Sequence, residues 1–182
     1  RPFPVSVPAY PTEQEALFMR IANIAAKMIE ISQGNLHDIE HFLKVHAYAR
    51  LIGQLEQLEP DRQFILEAAA LLHDIACPLC RQTYGHTNGK QQELLGMPLA
   101  QEFLSTFDLP AETVERIVFL VGHHHTLTEV DGPDYQILLE ADYLVNASES
   151  SYSPAKLRHA QQTLFRTQSG LALFRSVYGI DD

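Results

Sequence analysis

Basic residues are scarce in this chain of 182 residues: 13 Lys and Arg stand against 23 Asp and Glu, a formal charge of -10. Such a surface repels a phosphate backbone, so no nucleic acid polymer is expected as a partner. A small anionic substrate remains compatible with it, because a bound cation can make one pocket locally positive. Cysteine is nearly absent, with only Cys77 and Cys80 in one Cys-Pro-Leu-Cys motif. A redox pair calls for a strand-helix setting that does not surround it, and structural zinc calls for two further ligands. The two are read as reduced thiols in a turn. No apolar run approaches the roughly 20 residues that cross a bilayer, so no membrane contact is expected. Arg1 to Pro11 lack the apolar centre of a secretory signal, and a cytoplasmic location follows as the default. With Arg1 in the place of a Met, the chain is expected to be less than the full translation product.

No stretch alternates with a strand period and no segment repeats, whereas helical spacing recurs along most of the chain. Apolar residues make up 46% and charged residues 20%, the balance of a globular protein. Four prolines in residues 1–11 predict an extended arm, and residues 12–182 are read as one all-α domain. Thr12 with Glu15 forms a capping-box pattern before Leu17, Ile21, Ile24, Met28 and Ile31, and Gly34 stops that helix. A second helix is predicted from about Leu36 to Leu58, burying Phe42, Val45, Ala49 and Ile52. Pro60 opens a third, whose segment Phe64 to Leu72 is apolar almost all round and reads as central. Cys77 to Lys90 is read as a loop. Helices follow over about Gln91 to Phe107, from Pro110 to Gly122, and through Ile137 to Leu144. A last one opens at Ser153-Pro154 and ends near Gly170, before a short amphipathic tail.

The informative point is the end of the third helix, Leu71-Leu72-His73-Asp74-Ile75-Ala76. An ionised carboxylate buried in such a setting costs several kcal/mol unless it is paired or bound to a cation. Asp142 is a second acid in a core-facing run, Leu138 to Val145, and His41 lies in Ile39 to Val45. Two imidazoles and two carboxylates form a mixed set suited to manganese, iron, nickel, zinc or magnesium with open positions. His37, four residues before His41, shares its helix face, and spacing alone does not choose between them. His123, His124 and His125 follow at a helix end, where imidazolium also suits the dipole. His46 and His159 fit ordinary surface or boundary positions. Lys44 shares a helix face with His41, and Arg81 and Lys90 lie in the loop after the doublet, so these three are candidate phosphate contacts.

This pattern resembles the HD-domain superfamily of metal-dependent phosphohydrolases: a His on an early helix, a His-Asp doublet and a distant Asp on a later helix. It is carried here by His41 with Lys44-Val45 after it, by His73-Asp74, and by Asp142 in Glu-Ala-Asp, across roughly residues 35 to 150. The resemblance favours His41 over His37. It implies a compact multi-helix bundle that hydrolyses a phosphate ester or anhydride, often in a nucleotide. Where some members follow the doublet with Gly-Lys, this chain has Ala76 and Cys77. Gln92 stands where binuclear members carry a His before a small residue, here Gly96, and Lys44 stands where related sequences place arginine. His86, His123 and His124 are the candidates for a second metal. The expected mechanism is metal-assisted hydrolysis centred on Asp74, with Lys44 stabilising phosphoryl charge and His123 or His124 protonating the leaving oxygen. Two rivals are a di-iron HD-type oxygenase and a catalytically inactive nucleotide-binding module. A homodimer is compatible with the sequence.

Overall fold

The computed structural model describes residues 12–181, and the arm expected over 1–11 lies outside the described residues. Among the described residues there are nine helices and no strand. The capping box at Thr12 forms, with Glu15 N donating to Thr12 Oγ1 and Thr12 N donating to Glu15 Oε2. It starts α1 (Glu13–Ile31), which buries Ile21, Ile24 and Met28 on one face. Ile31, three residues beyond Met28 at the end of the helix, is 54% exposed. Gly34 turns the chain at φ 81°, in the left-handed region that glycine enters without a Cβ clash. Asn35 then caps α2 (Leu36–Leu55), which buries His41, Phe42, Val45, Ala49 and Ile52. That helix ends three residues before the expected Leu58, because Leu58 N turns back to Gly53 O at 3.0 Å.

The central helix is α3 (Pro60–Leu72), packed against α1 and α2 and also against α6 (Ala111–Val121) and α7 (Pro133–Glu149). Its apolar run carries one acid, Glu67, buried and held by His46 at 2.9 Å and by Gln63. Pro60–Tyr84 is long and apolar enough to cross a bilayer by length and composition, against the expectation of no such run. In the fold it is interrupted by a turn at 73–76, and 67% of its apolar window is buried as protein core.

Two further expectations are corrected. The region read as a loop contains α4 (Cys77–Tyr84), with Pro78 in its first turn and Gly85 as a left-handed cap; α5 (Gly89–Leu104) follows. The helix expected to run on to Gly170 divides into α8 (Pro154–Thr163) and α9 (Gln168–Tyr178). The cause is buried Glu140 of α7, whose carboxylate accepts from Arg166 N at 2.7 Å, Thr167 N at 2.9 Å and the Thr167 hydroxyl. Those donors are free only because the chain leaves the helix there. One apolar cluster runs from Ile21 of α1 to Phe174 of α9.

Candidate metal centre

Three elements meet at one point. His41 faces the core in the second turn of α2, His73 caps α3, and Asp142 lies midway along α7. Asp74 follows in the turn 73–76, closed by Cys77 N on its carbonyl at 2.9 Å. His73 keeps a helical backbone, φ -52° and ψ -39°, and the two side chains of the doublet flank one point, with His73 Nε2 3.6 Å from Asp74 Oδ2.

The donor atoms converge. His41 Nε2 lies 3.2 Å from His73 Nε2, 3.3 Å from Asp142 Oδ1 and 3.4 Å from Asp74 Oδ2. His73 Nε2 lies 3.4 Å from Asp142 Oδ1 and 3.6 Å from Asp74 Oδ2. Two donors each about 2.1 Å from one tetrahedral cation stand about 3.4 Å apart. The tautomers are fixed from behind. His73 Nδ1–H donates to the Ala70 carbonyl at 2.8 Å, and His41 Nδ1–H donates to the Glu149 carboxylate at 2.8 Å. With Nδ1–H so engaged, each ring in its neutral form turns an Nε2 lone pair toward the same point. Two such lone pairs 3.2 Å apart repel unless a proton or cation lies among them. The residues fit a divalent ion, and this cluster could hold one.

His124 adds to one side. Its Nδ1–H donates to the Val121 carbonyl at 2.8 Å, while its Nε2 is buried with no hydrogen-bond partner, 3.4 Å from Asp74 Oδ1. The two oxygens of Asp74 thus face different imidazoles. Asp74, His124 and His125 also bring donors within 4.8 Å of one another. His125 gives Nε2–H to Gln92 Oε1 at 2.8 Å, and its ring packs over Gly89, where a Cβ would stand 2.8 Å from it.

The electrostatics follow from this crowding. Burial pushes the Asp74 and Asp142 carboxyls up, but the imidazoles around them outweigh it and hold both far below the ordinary range. Burial also disfavours the His41 imidazolium, and Asp142, Asp74 and Glu149 overcome that penalty, raising it to about 9. At His125 burial and the charge of His124 outweigh the opposing pull of Asp142 and Asp74 and lower it to about 4.

The remaining candidates lie elsewhere. Lys44 Nζ pairs with Glu149 Oε1 at 3.2 Å and Glu40 Oε2 at 3.8 Å. Arg81 pairs with Asp38, and Lys90 lies exposed in the first turn of α5. His123 stacks on Phe119 at 4.1 Å and gives Nδ1–H to its carbonyl, and His86 is exposed and stacked on Tyr84. His37 is 75% exposed, its Nε2 3.9 Å from Glu149. Cys77 and Cys80 are free thiols buried in α4, and burial beside Asp74 pushes the Cys77 thiol up. Sequence reasoning missed Glu149 and Asn146, whose Nδ2 donates to Asp142 Oδ1 at 2.8 Å. Their signal is the spacing Asp142, Asn146, Glu149, a polar stripe on one face of α7.

Among curated proteins, none matches the chain. A crystal structure of a predicted HD superfamily hydrolase from an uncultured Thermotogales bacterium is similar, with a TM-score of 0.63 and 25% identity. The likeness covers 88% of this chain and 84% of that one. The HD domain family matches residues 38–147, a span that holds all four converging donors. The chain therefore belongs to the HD domain family.

Proposed function

We propose that this protein is a metal-dependent phosphohydrolase that cleaves a phosphate ester or anhydride in a small molecule, such as a nucleotide. The observation that carries the reading is the convergence of His41, His73, Asp74 and Asp142, with both imidazoles locked to present Nε2. A divalent cation held there would polarise a phosphate oxygen and lower the pKa of a water at neutral pH. The four side chains fix its position. Asp74 also reaches His124, which is placed either to hold a further cation or, when protonated, to give a proton to the leaving oxygen. Lys44 offers its charge to a phosphoryl group in competition with its Glu149 and Glu40 partners. The hydrolase description of the Thermotogales protein supports the same reaction class.

The test joins metal content to turnover. The parent is expected to bind about one divalent ion per chain and to release phosphate from some member of an ester and nucleotide panel. Asp74→Ala is expected to lose both. About two ions would bring His124 and His125 into the centre and favour the di-iron oxygenase, recognised by oxygen consumption. Full turnover in Asp74→Ala, or no metal after supplementation, overturns the reading and leaves a binding module.

A further inference from the structure

A cavity of about 330 Å³ lies beside Asp74, walled by α1, α2, α4, α5 and the turn 73–76. That volume is at the lower end of small-molecule sites, about 300–1,000 Å³. Met28, Phe42, Ile75, Pro78, Leu79 and Leu99 supply most of its wall. Its ionisable lining groups are Asp38 and Asp74, and among the described residues no lysine or arginine lines it. Asp74 is also the donor most open to solvent, its side chain 24% exposed against 6% for His41, 0% for His73 and 9% for Asp142. Asp74 itself lines this cavity, so a molecule seated there lies beside the converging donors.

Resting on the phosphohydrolase reading, we propose that the cavity seats the uncharged, apolar body of the substrate. The centre then selects hydrophobic phosphate monoesters over nucleoside di- and triphosphates and pyrophosphate. An apolar group that leaves water for this wall gains affinity with each carbon buried. A polyphosphate gains nothing from it and adds negative charge next to Asp38 and Asp74. Tight polyphosphate sites meet that charge with arginine or lysine. Here the nearby cations already have carboxylate partners: Lys44 has Glu149 and Glu40, and Arg81 has Asp38. Asp38 is itself fixed in the wall by Asn35 Nδ2 at 2.6 Å.

The experiment measures binding, by calorimetry on the manganese-loaded full chain, of n-alkylphosphonates from methyl to octyl, beside pyrophosphate and ATP. Affinity is expected to rise roughly three- to fourfold per methylene until the cavity is filled, with octylphosphonate at least about tenfold tighter than ATP or pyrophosphate. Leu79→Asp is expected to flatten the series while manganese content stays at the parent level. A flat series in the parent, with methylphosphonate bound, overturns the apolar pocket and leaves the phosphohydrolase reading standing. ATP binding more tightly than octylphosphonate does the same. Manganese bound with no phosphonate of any length bound overturns both.

Discussion

At the scale of single residues, Glu149 has the largest influence for a group that is not one of the four converging donors. One of its oxygens accepts from His41 Nδ1 and the other from Lys44 Nζ, and His41 and Lys44 hold it below the usual carboxylate range against the effect of burial. A carboxylate behind a ligating imidazole fixes the ring and makes its free nitrogen a better donor. Glu149→Gln is therefore expected to weaken divalent-metal affinity about tenfold or more, read by competition with a chelating dye, and Glu149→Asp to recover part of it. Equal affinity in parent and Gln variant would mean that the contact does not orient His41. The four converging donors were legible because each interrupts an apolar stretch, where an unexplained charge demands a partner. Glu149 lies in the stretch Asn146 to Ser151, polar except for Ala147, where an acid needs no explanation. Only its spacing of seven from Asp142 marks it. Lys44 shows the opposite case: the partner that takes up its charge comes from α7, 105 residues away, and spacing along α2 does not reveal it.

At the scale of elements, what the sequence concealed were helix ends set by tertiary contacts. In α4 the proline reads as a breaker, yet a proline in the first turn lacks only an N–H that has no intrahelical partner there, and Gly85 supplies the left-handed cap. The division between α8 and α9 has one modest local signal, Thr167 as the N-cap of α9 accepting from Gly170 N at 3.0 Å, and its long-range partner is Glu140. That side chain accepts from two backbone amides, one hydroxyl and Gln136 Nε2 in a fully buried setting. Replacing it with Leu strands the two amides. Since a bond to a charged acceptor contributes about 1.5–3 kcal/mol, Glu140→Leu is expected to cost roughly 3 kcal/mol or more in urea unfolding. A loss under about 1 kcal/mol would show that the 164–167 segment finds other acceptors and that Glu140 does not set the break. Gly170 belongs to the same device, since a Cβ there would come within 1.9 Å of Glu140 Oε2.

At the scale of the whole molecule, one fully buried acid is tied down by two arginines. Asp134, at the start of α7, is fully buried and accepts from Arg116 of α6 and Arg62 of α3, so one carboxylate joins three helices around the core. Asp142 and Glu149 lie further along the same α7. Burial raises the Asp134 pKa, but Arg116, Arg62 and the Tyr135 amide outweigh it and leave the value lowered. A carboxyl lowered in the folded state binds its proton more readily when unfolded. Its contribution is thus complete above the ordinary carboxylate value of about 4 and is lost as the pH falls toward the lowered folded value. Asp134→Asn removes that contribution at any pH. The stability gap between parent and variant in urea is therefore expected to be constant from pH 7 down to about 5 and to narrow below about 4. A gap as wide at pH 3 as at pH 7 would mean that Asp134 joins the three helices by shape and hydrogen bonding rather than by charge.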